Sequence, residues 1–135
     1  MAVEVGIAVR DGWPDAFPAV HRALFAARHD KGLDIRDHDV VAGVLTGEGL
    51  DADKVFNEVL GCGPRDTFRA EHEMAVEKHR VFGVPTLIAD GQAVFIRLVN
   101  RPTTAGEAWT AIERCLDLVT GWTNLNEFKH TSIPH

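Results

Sequence analysis

Val81-Phe82-Gly83-Val84-Pro85-Thr86, followed by Leu87-Ile88-Ala89-Asp90-Gly91-Gln92-Ala93-Val94-Phe95-Ile96, is the stretch that decides the fold. Thr86 to Ala89 is a short apolar run, and Gln92 to Ile96 is a second. The two residues between them, Asp90-Gly91, are the pair that a tight hairpin turn demands, because both central positions of such a turn need a positive φ. The reading is therefore a β-hairpin. Taken alone, Pro85 is a turn proline placed just before the first strand.

Upstream of the hairpin the spacing is helical. Phe17, Val20, His21, Leu24, Phe25 and Arg28 recur at intervals of three and four after Pro14, with a bend expected at Pro18 and a stop at Gly32. Asp37 is placed to cap a second helix carrying Val40, Val41, Val44 and Leu45, which Gly47 and Gly49 end. Asp51 caps a third, with Val55, Phe56, Val59 and Leu60 as its apolar stripe and Gly61 as its end. Pro64 opens a longer, charge-laced helix to about Arg80, with Phe68, Glu71, Ala75 and His79 on one side. At the start of the chain Val3, Val5, Ile7 and Val9 alternate with smaller or polar residues, a period of two that predicts a short strand. Downstream, Thr103 or Thr104 caps a final amphipathic helix through Ala108, Trp109, Ile112, Cys115, Leu116 and Val119, ended by Gly121.

The 135 residues are expected to form one domain: a short strand and helices over 1–82, a ββα half over 83–120, and a tail over 121–135. With 45% hydrophobic and 25% charged residues the composition is that of an ordinary globular protein. Fourteen basic against twenty acidic residues leave a formal charge of -6, the wrong sign for binding nucleic acid phosphates. No apolar run approaches the roughly 20 residues of a spanning helix, and Met1-Ala2-Val3-Glu4 lacks the pattern of a signal peptide, so neither membrane nor export is expected. A cytoplasmic protein is the expectation. Cys62 and Cys115 stand too far apart for a Cys-x-x-Cys motif.

A helix, then Phe82-Gly83-Val84-Pro85-Thr86, then strand, tight turn, strand and closing helix resembles the second half of a thioredoxin fold. With the inserted helices, the stretch from Arg22 to His130 resembles the DsbA-like family, which includes mycothiol-dependent reductases, chromene-carboxylate isomerases and kappa-class glutathione transferases. The pieces that carry the likeness are Arg69-Ala70-Glu71-His72-Glu73, the Gly83-Val84-Pro85-Thr86 run, Gly106-Glu107-Ala108-Trp109 and Glu127-Phe128-Lys129-His130. The resemblance implies an α/β fold, an incomplete thioredoxin-like fold of DsbA type, with a helical insertion followed by a β-hairpin and a closing helix. It also implies a cis bond at Pro85 and a substrate edge at Val84, Pro85 and Thr86, where an extended thiol or disulfide substrate would hydrogen-bond to the backbone of Val84. A small thiol such as mycothiol or glutathione is the implied partner, with no resident cofactor. Relatives carry their catalytic Cys-x-x-Cys, or a single Ser or Cys, in a strand-to-helix turn upstream of the inserted helices. No residue here matches that turn, so the chain reads as either a fragment or a natural short form. The missing strand would leave the hairpin edge unpaired, and a homo-oligomer that covers it is expected.

Among the remaining candidates, Cys62 in Gly61-Cys62-Gly63-Pro64 stands before a helix N-terminus and is the better candidate nucleophile of the two cysteines. An inert loop cysteine is the competing reading. Cys115 sits on an apolar helix face and reads as packing. His72 and His79 are seven apart, unlike the four of the His-Glu-x-x-His motif, so no metal site is expected. Glu71, Glu73 and Glu77 interleave with Arg65, Arg69, Lys78 and Arg80 as surface helix charges do. Trp13, Trp109 and Trp122 could line a groove or fill the core. Two functions follow: a thiol–disulfide oxidoreductase-like protein without its catalytic cysteines, inactive in redox chemistry by itself, or a non-catalytic binding module that dimerises through its sheet edge.

Overall fold

The computed structural model describes residues 1–98 and 100–125. The chain divides into two compact units, Met1–His72 and Glu73–His135, each with its own internal packing.

The first unit is helical. It contains α1 (Ala2–Gly12), α2 (Phe17–His29), α3 (His38–Gly47), α4 (Ala52–Leu60) and the first part of α5 (Gly63–His79). Local chemistry sets most of the boundaries. The Asp37 carboxylate accepts from the backbone N–H of Asp39 and Val40 at the start of α3, and that of Asp51 from Lys54 N–H at the start of α4. Gly32 and Gly49 take up the positive φ that the chain needs after α2 and α3. Pro14 does not open α2. It lies in a turn in which the Trp13 carbonyl accepts from Ala16 and Phe17, and Pro18 occupies the first turn of α2, where its missing N–H has no partner to lose.

The strand expected over Val3 to Val9 is a helix. Val5, Ala8 and Val9 are spaced i, i+3, i+4 and all enter the core, while Val3, part of the alternating set, is exposed. The sheet among the described residues has two strands, both in the other unit. A lone strand here would leave its N–H and C=O groups without partners, whereas a helix satisfies them internally. The core that results joins Val5, Val9, Val20, Leu24, Val41 and Leu45 with Ala8 and Val55, and Trp13, Phe17 and Phe56 pack against it. The first half of α5 is tied to α1 by Arg65 on Glu4 at 2.8 Å and Arg10 on Glu71 at 2.8 Å. The arginine of each pair is open to solvent, where screening keeps the contribution to stability small.

The second unit holds the hairpin and the closing helix. β1 (Thr86–Ala89) and β2 (Gln92–Phe95) pair antiparallel, with Thr86 opposite Phe95 and Ala89 opposite Gln92. Asp90 and Gly91 both adopt positive φ, 47° and 75°, as the turn chemistry required. α6 (Ala105–Gly121) packs on both strands. Its N-cap is Thr104, whose hydroxyl accepts from Glu107 N–H. In this unit Val119 is the one buried hydrophobic residue among those described. The quoted run Glu127-Phe128-Lys129-His130 and the rest of the tail from residue 126 lie outside the described residues.

Candidate functional site

The sequence singled out Val84, Pro85 and Thr86, and the structure brings them together at the entry to β1. α5 ends at His79. Arg80 then turns through a positive φ of 54°, and Val81 N–H folds back to the Ala75 carbonyl, which directs the chain off the helix. Gly83 comes next and packs closely: a Cβ at that position would lie 3.2 Å from Cε2 of Phe95, so the ring would have to shift to admit it. The Thr86 hydroxyl donates to the Gly83 carbonyl at 2.6 Å, tying the two ends of the loop together. The Val84–Pro85 peptide bond is cis. The Pro85 carbonyl accepts from Ile96 N–H at 3.0 Å, which extends the hairpin ladder past its last paired residues.

Val84 is the residue left over. Its side chain is 83% exposed, and its backbone makes no hydrogen bond among the described residues. Beside it Phe82, 85% exposed, meets the Phe95 ring at a centroid distance of 5.4 Å. Thr86, Ile88, Ala93 and Phe95 share one face of the ribbon by register, and Ile88 and Phe95 on that face are exposed. Leu87 and Val94, paired across the strands on the opposite face, are half-buried. The arrangement offers an apolar strip with an open backbone group at one end, which suits an extended polypeptide or a thiol with an apolar body.

Sequence reasoning quoted Phe82 inside the motif but missed Phe82, Ile88 and Phe95 as part of the site. The strict alternation along the hairpin was the available signal, since residues two apart share a face. The other candidates lie elsewhere. Cys62 belongs to the first unit, is exposed, sits at a strained φ of 65°, and its thiol points at the Leu60 carbonyl 3.7 Å away. Cys115 is half-buried on α6. Trp13 packs on the first core, whereas Trp109 and Trp122 are exposed. His72 stacks on Phe68 at 6.0 Å. Among the described residues no three His, Cys, Asp or Glu side chains converge as a metal site would need, and no helix is long and apolar enough to cross a membrane.

With this geometry in place, the comparison with known families is decisive: the family model described as DSBA-like thioredoxin domain matches residues 12–100, more than half of the chain. The chain belongs to that family. The match runs from the end of α1 through the helices and both strands of the hairpin, so the Gly83-Val84-Pro85-Thr86 loop of this DSBA-like thioredoxin domain lies within it. The mostly helical architecture with one antiparallel hairpin is that of a partial DsbA-like thioredoxin fold. No curated protein and no solved structure matches the chain.

Proposed function

We propose that this DSBA-like domain acts as the substrate-aligning part of a thiol–disulfide oxidoreductase-like protein, with the catalytic cysteine motif absent from this chain. The family match supports the oxidoreductase class. The observation that carries the finer reading is the backbone of Val84, open beside an engaged Pro85 and a tethered Thr86. In the reaction of this class a thiolate attacks one sulfur of a disulfide. A new S–S bond forms as the old one breaks, and the electron pair leaves on the second sulfur as a thiolate. Neither Cys62 nor Cys115 has a second cysteine to complete that cycle, so the thiolate would come from a partner or from a small thiol such as mycothiol or glutathione acting as co-substrate. Two unpaired cysteines suit a reducing, cytoplasmic setting.

The test pairs two measurements. The protein as made should show no catalysis of insulin disulfide reduction with glutathione as reductant. It should bind an extended peptide containing a disulfide, and Val84→Pro, which removes the open N–H, should weaken that binding about tenfold. Turnover that survives replacement of Cys62 would sink the proposal.

A second reading is favoured by a specific observation: among the described residues the ribbon has two strands, and Ile88, Phe95 and Trp109 are exposed in the same unit. On this reading the chain is a non-catalytic ligand- or protein-binding module that forms a homo-oligomer across its open hairpin edge. Sedimentation showing a monomer at high micromolar concentration would exclude it.

A further inference from the structure

The unit Met1–His72 contains an open groove of about 430 Å³ between α1 and α2, with Ile35 and Phe68 also in its lining. Its size falls within the roughly 300–1,000 Å³ of small-molecule sites. One wall is a row of rings along α2: Phe17, His21, Phe25 and His29, four residues apart, with successive centroids at 5.2, 4.8 and 5.6 Å. The facing wall on α1 is Val3, Gly6 and Ile7. Phe25 and Val3 are more than half exposed, 56% and 54%, so the walls are not filled by the first unit's own side chains.

Gly6 adds an independent observation. A glycine inside a helix costs about 0.5–1 kcal/mol relative to alanine. Such a residue is normally retained because something packs closely against it, yet a Cβ built on Gly6 meets nothing within 4 Å. The space above the helix is left open on the groove side and is not demanded by the packing of the described residues.

Two guanidinium groups border the groove, and they differ. Arg10, in the last turn of α1, is held between Asp11 at 2.7 Å and Glu71 at 2.8 Å. Arg28, in the last turn of α2, makes no ion pair among the described residues, and Asp34, whose carboxylate feels its charge, is engaged by Arg36 at 2.8 Å. One end of the groove is thus electrostatically satisfied and the other presents a cation above apolar walls. An arginine in that setting suits a carboxylate, which it can hold through two parallel N–H donors.

We propose that this groove binds a free amphipathic carboxylate, with its alkyl body between α1 and α2 over Gly6 and its head at Arg28. The site lies in the first unit and does not depend on the Val84 edge. Because the chain carries a formal charge of -6, general attraction would favour cationic amphiphiles, so a preference for an anion has to arise locally.

The experiment is calorimetric titration of the whole protein with monomeric dodecanoate and with dodecyltrimethylammonium, which has the same tail and the opposite head. Dodecanoate should bind saturably at one site and about tenfold more tightly than the cation. Gly6→Leu, which fills the open space, should lower that affinity about tenfold while the helical circular dichroism and melting midpoint hold or rise. Arg28→Glu should lower it to a similar degree, and Leu60→Ala, a change at an exposed apolar residue outside the groove, should leave it unchanged. Several results would overturn the proposal: no saturable binding, equal affinity for both heads, binding undiminished in Gly6→Leu or Arg28→Glu, or binding to anionic phospholipid vesicles with none to monomeric dodecanoate.

Discussion

Gly83 and Cys62 show opposite uses of a small or glycine-flanked position. At Gly83 the need is space, because Cε2 of Phe95 would stand 3.2 Å from an added Cβ. Gly83→Ala should therefore displace the Phe82–Phe95 pair and cost roughly 1 kcal/mol, read as a lowered midpoint in urea denaturation. At Cys62 the need is conformation: its φ of 65° is one that side-chain-bearing residues adopt at a cost. Cys62→Gly should raise stability by about 0.5–1 kcal/mol and leave thiol–disulfide exchange by the protein unaltered. A fall in exchange would place Cys62 in the chemistry. The sequence placed Cys62 in a glycine-flanked loop and Gly83 in the run before the first strand, but what each position demands depended on atoms 12 residues away in one case and on loop geometry in the other.

At the scale of elements, caps were legible and faces only partly so. Asp37, Asp51 and Thr104 each accept the backbone N–H groups that their side-chain chemistry suits them for. The cap of α6 also carries a pH dependence. Hydrogen bonds from the Thr103 hydroxyl at 2.7 Å and the Thr103 backbone N–H at 2.8 Å hold the Glu107 carboxyl below its ordinary value. A carboxyl depressed in the folded state stabilises that state above its unfolded pKa, about 4.5, and the contribution is lost as pH falls through the folded value. Helicity measured by circular dichroism should therefore decline below about pH 4.5, and Glu107→Gln should make that decline shallower. α1 was the element misread. Its seven alternating residues satisfy a strand pattern, yet Val5, Ala8 and Val9 satisfy a helical one, and nothing local separates the two.

Across the whole molecule the two units differ in how much they bury. Leu45 and the valines at 5, 9, 20, 41 and 55 are fully enclosed in the first, and Leu45→Ala should cost about 2–5 kcal/mol there, seen as a large drop in the denaturation midpoint. In the second, β1 and β2 lean on one helix, and exposed apolar side chains outnumber the single enclosed one among the described residues. The apolar positions of α6 span about half the helix circumference, from Leu118 through Cys115 and Val119 to Trp109, which is wider than a two-stranded ribbon covers. That helix therefore leaves apolar surface open to solvent among the described residues.

The hairpin and the helix caps were determined by the sequence itself, because each depends on φ preferences or hydrogen bonds between residues a few positions apart, whereas the Gly83-Val84-Pro85-Thr86 loop was legible through its family resemblance. Tertiary structure decided the rest. It made Val3 to Val9 helical, since only burial against α2 and α4 selects one period over the other, and it set Phe82 against Phe95 and left the space above Gly6 open. Those outcomes depend on which faces meet, and contact between residues distant in the chain carries no local signature.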